Sequence, residues 1–370
     1  MKHVMGVINL VNEPDDLEEL TYFRCPASVP FGGRYRLIDF ALSNMVNSGI
    51  DNVAVFTQHK YRSLMDHLGS GKEWDLDRKR GGLFVLPSVL DEPTGISRGD
   101  LYQFYSHRDY FYRGKEEFVI ISRSHMVCNL DLNDAVRYHE DMQADITVIY
   151  KQTDEEIHGK FRRMAVKESG QVTLMEDHTG RLRTNNISME MYIMSKALLL
   201  DMVESCLAQG YDHLVRDGIM KNIDKLSVYG YKFEGHLGIV NSIQGYYKHS
   251  MQLLNPAIWR ELFFQKNNLV YTKVKDEPPA KYMETAATKN TLIANGCQIE
   301  GKVENSILFR GVKIRKGAYV KNSIILQNCE IEENVIIENS ILDKDVFISR
   351  GRVLTGDNKA PFIAAKTKVI

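Results

Sequence analysis

The sequence predicts an α/β protein in two parts: a Rossmann-like domain on a mixed, largely parallel sheet, then a left-handed parallel β-helix. Three observations lead there. Strand-like apolar runs alternate with amphipathic helix-like runs through the first half of the chain, which is the rhythm of βαβ units. Near its end the triplet Asn-Ser-Ile recurs at a constant spacing of 17 residues. A length of 370 residues with 44% hydrophobic content lets each part bury its own core.

In chain order, residues 4–10 read as a buried strand, 38–48 as an amphipathic helix stopped by Gly49, and 52–57 as the next strand. A strand follows at 82–86, a helix at 101–111, a buried strand at 118–121, a helix at 131–142 and a strand at 144–150. Strands then come in succession at 163–167, 171–176 and 189–194, followed by a helix at 196–207 and a strand at 226–233. The aromatic run from Tyr102 to Tyr112 reads as packing within these elements, and His107, His139, His158 and His178, which lack metal-ligand spacing, as surface or capping residues.

The repeats Asn305-Ser306-Ile307, Asn322-Ser323-Ile324 and Asn339-Ser340-Ile341 bring other positions into phase: Val312 with Cys329 and Val346, Ile314 with Ile331 and Ile348, and Val303 with Val320 and Ile337. Such repeats hide their apolar positions only by stacking. Three strands of about six residues per turn, with Gly or Asn at the corners (Gly296, Gly301, Gly311, Gly317, Asn328, Asn334), make a β-helix of hexapeptide-like repeats. The paired Pro278-Pro279 favours an extended path between the two parts. The expected organisation is a domain over 1–245, a linker with a short helix over 246–285, and the β-helix over 286–370.

Several function classes are disfavoured at once. With 47 Lys+Arg against 48 Asp+Glu, and no basic run longer than Arg78-Lys79-Arg80, the chain lacks the footprint of a nucleic-acid binder. No stretch approaches ~18 consecutive apolar residues, and the N-terminus is too poor in them for a signal-peptide core, so a cytoplasmic protein without membrane contact is expected. The five cysteines are far apart and carry no CxxC spacing, which predicts reduced core residues.

The segment Val29-Pro30-Phe31-Gly32-Gly33-Arg34-Tyr35-Arg36-Leu37-Ile38-Asp39-Phe40-Ala41-Leu42-Ser43-Asn44 is very similar to a signature of the ADP-glucose pyrophosphorylase (glucose-1-phosphate adenylyltransferase) family. Asn47-Ser48-Gly49-Ile50, Trp74-Asp75-Leu76-Asp77-Arg78 and Pro278-Pro279-Ala280-Lys281 extend the similarity along the chain. The resemblance implies a nucleotidyltransferase-like domain before the β-helix. It also implies chemistry in which ATP and glucose 1-phosphate give ADP-glucose for bacterial glycogen synthesis.

That chemistry needs a glycine-rich loop for the triphosphate, cations, and Mg²⁺ held by carboxylates. The family pattern fails at those places. No glycine lies between Gly6 and Gly32, and the segment Asn12-Glu13-Pro14-Asp15-Asp16-Leu17-Glu18-Glu19 puts five carboxylates where the family has Gly-Gly and an Arg. We expect a solvated acidic loop or helix start, opposed to a triphosphate by charge. Cys25-Pro26-Ala27-Ser28 lacks the family's lysine; Arg123-Ser124-His125 stands for Gly-Asp-His, so Ser124 replaces a metal-binding aspartate. Asp177-His178-Thr179 stands for Glu-Lys-Pro, Ser188-Met189-Glu190 for Ser-Met-Gly, and Ile239-Val240-Asn241-Ser242 for Asp-Val-Gly-Thr, whose aspartate is the second metal ligand.

With Ser124, His178 and Ile239 at these places, no catalytic residue and no bound metal is expected. Arg34, Arg36, His125, Asp177 and Ser188 remain candidates for holding a substrate or effector, and Asp39 is expected to order the arginines. The resemblance is closest to the regulatory, D-type branch of the family. It implies a partner of a catalytic subunit in a hetero-oligomer, a tetramer by family analogy, with Mg²⁺ in that partner and a homo-oligomer when alone. The alternative is an active adenylyltransferase with a remodelled site using His125, Asp177 or an acidic-loop residue. An acyltransferase working through the β-helix is disfavoured because residues 296–350 contain no histidine as general base.

Overall fold

The computed structural model describes residues 3–89 and 98–370. The first strand, Val4–Asn9, runs parallel to Asn52–Thr57 on one side and Phe118–Ser122 on the other, and Gly82–Pro87 extends the sheet beyond Asn52–Thr57. Apolar side chains on both faces explain the near-continuous Val, Ile and Met runs, since a parallel sheet is covered on both sides. The antiparallel strand Asn186–Ser195 then pairs with Phe118–Ser122 and with Ile146–Gln152, which is followed by parallel Val228–Phe233. Arg162–Val166 and Val172–Asp177 form a hairpin at the far edge. The sheet is therefore mixed and largely parallel, as expected.

Local chemistry sets the helix ends. Asp39 accepts the Arg36 backbone N–H at 2.9 Å and starts Leu37–Asn47, whose Met45 lies over Gly6, where a Cβ would meet its sulfur at 2.6 Å. Asp131, Ser195 and Ser242 cap the helices Leu132–Asp141, Lys196–Ala208 and Ile243–Gln252 by accepting backbone N–H groups. The single helix expected over 101–111 is two, Asp100–Ser106 and Arg108–Arg113. His107 leaves helical geometry between them, and the break lets Phe104 and Phe111 both pack on Phe56. His139, expected near the surface, is buried with Nδ1 2.9 Å from the Thr147 hydroxyl. Within 246–285 there is more helix than expected, because Ile243–Gln252 reaches into it and Pro256–Phe263 follows.

The C-terminal part is a left-handed parallel β-helix. Successive turns pair in parallel, with Lys313 opposite Glu330, Tyr319 opposite Ile336 and Ile324 opposite Ile341. Cys297, Val312, Cys329 and Val346 fill its interior with the Ile314 and Val303 series. Serines of the triplet are also inside: the Ser306 and Ser323 hydroxyls accept the N–H of the serine one turn on, at 3.0 and 3.2 Å. Asn290, Asn305, Asn322 and Asn339 take left-handed backbone angles at a corner, and their side chains form a ladder with links of 2.8, 2.7 and 3.1 Å. Such angles are tolerated best by Gly and Asn.

The isoleucines of the triplet point outward. Ile307, Ile324 and Ile341 pack with Phe309 and Leu326 against Leu17, Leu20, Phe31 and Tyr246 of the first domain. At the same junction Arg24 and Asp343 form a bidentate ion pair at 2.9 and 3.0 Å, with side chains 4% and 1% exposed. Tyr246 donates to the Pro30 carbonyl and Tyr247 to that of Asn322. All five cysteines are free and buried, and no helix among the described residues is long and apolar enough to cross a membrane.

Candidate functional site

In an open α/β sheet, ligands bind at the carboxyl ends of the strands where the order reverses. Val4–Asn9 and Phe118–Ser122 are neighbours there, and the segments leaving them line a cleft of about 470 Å³ with Lys160, Arg162, Asp177, His178 and Glu190. The expected solvated acidic loop is only partly so. Asp15, Asp16 and Glu18 are exposed, but the Glu13 side chain is 2% exposed and inserted between the two strand ends.

Glu13 Oε1 accepts the Ser124 N–H at 2.6 Å and the His125 N–H at 3.3 Å, and His125 Nδ1 lies 3.1 Å away. The Ser124 hydroxyl reaches Oε1 at 3.0 Å and Oε2 at 2.8 Å. Because an ionised carboxylate only accepts, Nδ1 must carry a proton. Burial alone would raise the Glu13 carboxyl pKa; the His125 hydrogen bond and charge, the Arg123 charge and the Ser124 hydroxyl outweigh it and hold the group below its usual value. Arg123 in turn donates to the Asn9 and Val11 carbonyls at 2.8 and 2.6 Å, clamping the end of the first strand. The acidic segment differs from the solvated loop expected because a carboxylate paired across 111 residues leaves no local signal beyond the absence of glycine and the apolar spacing of Leu17 and Leu20.

A second buried carboxylate, Glu190, lies on the opposite wall. It occupies a bulge between Ser188 and Met191 with φ +54°, a left-handed angle where the family has glycine. Arg162 Nη1 donates to its two oxygens at 2.7 and 2.6 Å, and the Ser188 hydroxyl accepts the Glu190 N–H at 3.2 Å. Burial opposes ionisation of Glu190, yet the charges of Arg162, Arg123 and His125 keep its pKa low. Arg162 also approaches Asp177 at 2.9 Å, a charge contact without hydrogen-bond alignment. Sequence reasoning did not single out Arg162, although the pair Arg162-Arg163 at the start of a strand was its visible sign.

The cleft thus brings together His125 and Asp177, with the His178 ring tilted against Phe161 at 5.2 Å, whereas Ser188 lies buried behind Glu190 and does not line it. The structure separates them from the two arginines. Arg34 is exposed and lines another cleft, of about 420 Å³, with Lys275, Glu277 and Arg310 between the domains. Arg36 is turned away from this cleft, donating to the Ser63 carbonyl at 2.6 Å and the Ser63 hydroxyl at 3.0 Å. Asp39 holds the Arg36 backbone and His67 Nε2, the latter at 2.6 Å. Burial, then the charge of Arg34, lowers the Arg310 pKa; burial, Arg310 and Arg36 do the same for Lys275.

The first cleft does not suit a divalent cation. Both oxygens of Glu13 are taken by N–H and O–H donors, Ser124 brings no charge, and Ile239 lies in the apolar core paired with Met126. Among the described residues no group of three His, Cys, Asp or Glu side chains is arranged to hold a metal.

Sheet order, crevice and β-helix define the class: a nucleotidyl transferase-type domain carrying a hexapeptide β-helix. The Nucleotidyl transferase family matches residues 16–237, and the GlmU-like C-terminal hexapeptide family matches 278–362. The glycogen biosynthesis protein GlgD of Bacillus subtilis (strain 168) is 41% identical over 98% of this chain and 96% of its own length. GlgD of Geobacillus stearothermophilus is 42% identical over 86% of this chain and 82% of its own. Glucose-1-phosphate adenylyltransferase of Pseudothermotoga lettingae is 32% identical over 86% and 77%. The chain belongs to the nucleotidyl transferase family, in the group formed by the GlgD glycogen biosynthesis proteins and the glucose-1-phosphate adenylyltransferases.

Proposed function

We propose that this chain is a regulatory, catalytically silent subunit that assembles in the cytoplasm with an active ADP-glucose pyrophosphorylase and tunes its synthesis of ADP-glucose for glycogen. The observation that carries the reading is the seat of Glu13. Where ATP phosphates and their metal need donors and open carboxylates, this chain's donors already hold a carboxylate of its own. The likeness to the GlgD glycogen biosynthesis protein over nearly the whole chain supports the place in glycogen synthesis. In it, Mg²⁺ and the adenylyl transfer belong to the catalytic partner.

A subunit without chemistry changes a partner's rate by binding its competent state better, and ~1.4 kcal/mol of differential contact already shifts the balance tenfold. Arg34, with Lys275 and Arg310, lines the interdomain cleft where an anionic effector of such an assembly would sit. The alternative of a remodelled active site has little to work with: His125 is committed to Glu13, and Asp177 faces Arg162.

The test is ADP-glucose synthesis by this protein alone, by the catalytic subunit of the same cell alone, and by their mixture. We expect no turnover alone and a changed rate or substrate affinity on mixing. Turnover by this chain alone at ordinary enzymatic rates would overturn the proposal.

A further inference from the structure

We infer that the Ser124–His125 turn is a preformed oxyanion nest, that Glu13 is its tethered internal ligand, and that removing Glu13 opens a site for a free carboxylate or phosphoryl group. The nest belongs to the backbone. Ser124 and His125 N–H both point at Glu13 Oε1, so the two amides converge as they do in anion-binding concavities. The Ser124 hydroxyl and His125 Nδ1 add two side-chain donors, which gives four donors around one carboxylate. Ser124 and His125 are 0% and 1% exposed, so with Glu13 in place its carboxylate takes the position that water or a free anion would otherwise fill.

The turn's geometry is fixed independently of Glu13. The His125 carbonyl accepts the Val240 N–H at 2.9 Å, and the adjoining Met126 and Val127 pair with Gly238 and Ile239. Arg123 is anchored on the Asn9 and Val11 carbonyls. Truncating Glu13 therefore leaves two fixed backbone donors, with the Ser124 hydroxyl and the His125 ring beside them, around a vacated space the size of a carboxylate that adjoins a cleft open to solvent. This goes beyond the regulatory reading and does not depend on it, because it concerns what occupies the nest and is measured without a partner subunit.

The experiment is thermal denaturation of full-length Glu13→Ala, Glu13→Gln and unmodified protein, titrated with sodium formate, inorganic phosphate, or sodium chloride at matched ionic strength. Glu13→Ala should lose stability and regain it saturably with formate or phosphate; chloride should not do this. Unmodified protein and Glu13→Gln, whose side chains still fill the space, should show no saturable shift. A stronger response to formate means a nest sized for a carboxylate, and a stronger response to phosphate one that admits a phosphoryl oxygen. Adding Ser124→Ala to Glu13→Ala should weaken the anion about tenfold, the loss of one donor to a charged acceptor. A folded Glu13→Ala protein that responds to neither anion overturns the inference. Should Glu13→Ala not fold on expression, its refolding yield from urea is compared in formate and in chloride; equal yields overturn the inference as well.

Discussion

The junction between the two parts offers a sharp energetic test in Arg24 and Asp343. Each residue places a full charge in a setting almost closed to water, joined by two hydrogen bonds of 2.9 and 3.0 Å. Removing one partner of a buried pair costs about 3–5 kcal/mol, because the other charge is left uncompensated. In Arg24→Met the stranded carboxylate keeps the Lys344 backbone N–H, at 2.7 Å, and the nearby Lys344 charge, so the lower end, about 3 kcal/mol, applies. Asp343→Leu strands a guanidinium and also the Lys344 N–H, and should cost about 4 kcal/mol. The double variant Arg24→Met/Asp343→Leu removes both charges from an apolar junction and should recover most of the loss, leaving about 1 kcal/mol for that N–H. Native-state hydrogen exchange at the Val29 and Asp343 amides, which donate to Pro26 and Ala364 across this region, reads the local opening. A cost of 3 kcal/mol corresponds to more than a hundredfold faster exchange, since 1.4 kcal/mol is tenfold. Exchange in Arg24→Met within threefold of the unmodified protein, or a double variant no better than Asp343→Leu, would refute the reasoning.

Other consequences follow from the charges and the corner ladder. Glu13 faces Arg123, His125 and Glu190, and both carboxyls have pKa values below the usual range in the fold. Their stabilisation is complete above the unfolded value of about 4.3 and is lost as pH falls through the lower folded values, so Glu13→Gln should flatten the acid limb of a Tm–pH curve. Identical acid limbs would count against it. Burial, with the charges of Arg36 and Arg24, pushes the Lys344 ammonium down to about 7. The unfolded chain then binds more protons between about pH 7 and 10, stability rises across that window, and Lys344→Met should remove the rise in Tm; an unchanged slope would contradict this. Asn322 combines φ +46° with side-chain bonds to Asn305 and Asn339. Asn322→Ala should therefore cost about 2–3 kcal/mol and Asn322→Gly about 1 kcal/mol in urea unfolding, whereas equal costs would remove backbone angle as a cause.

The β-helix was legible because its period is a geometric constraint: residues 17 apart share a face, and the registers of Lys313 with Glu330 and Tyr319 with Ile336 repeat that spacing. What the period left open was direction. Ser306 and Ile307 recur equally well, yet the serine turns inward to bond the next turn and the isoleucine outward to meet Phe31 and Tyr246. Repetition records stacking and carries no information about a surface supplied by another domain. The break at His107 was hidden for a similar reason, since the apolar spacing continues across it and only the packing of Phe104 and Phe111 on Phe56 requires it. Loss of family residues at Ser124 and Ile239 could be read directly. The carboxylate that fills the gap could not, because Glu13 and Ser124 meet through the adjacency of two parallel strands.

A missing glycine loop and a seated Glu13 have one physical explanation in the segment between Asn12 and Arg24. A phosphate cradle must present bare backbone and tolerate rearrangement as ligands come and go. Here the segment is fixed along its length. Glu13 is held by the nest at one end, and the Asp16 backbone joins Asn241 and Ile243 at 2.9 and 3.1 Å. Leu17 and Leu20 enter the apolar junction, and Arg24 reaches Asp343 in the β-helix. Buried anchors of three kinds, ionic, backbone and apolar, turn a loop into a strut. On the proposed regulatory reading, Glu13 is more than a substitution that damaged a site: its carboxylate replaces the charge that a bound anion would have brought, and its donors become part of the structure that ties the first domain to the β-helix. On the same proposed reading, loss of ligand chemistry and preservation of the frame are coupled, since the same donors cannot hold Glu13 and a nucleotide phosphate at once.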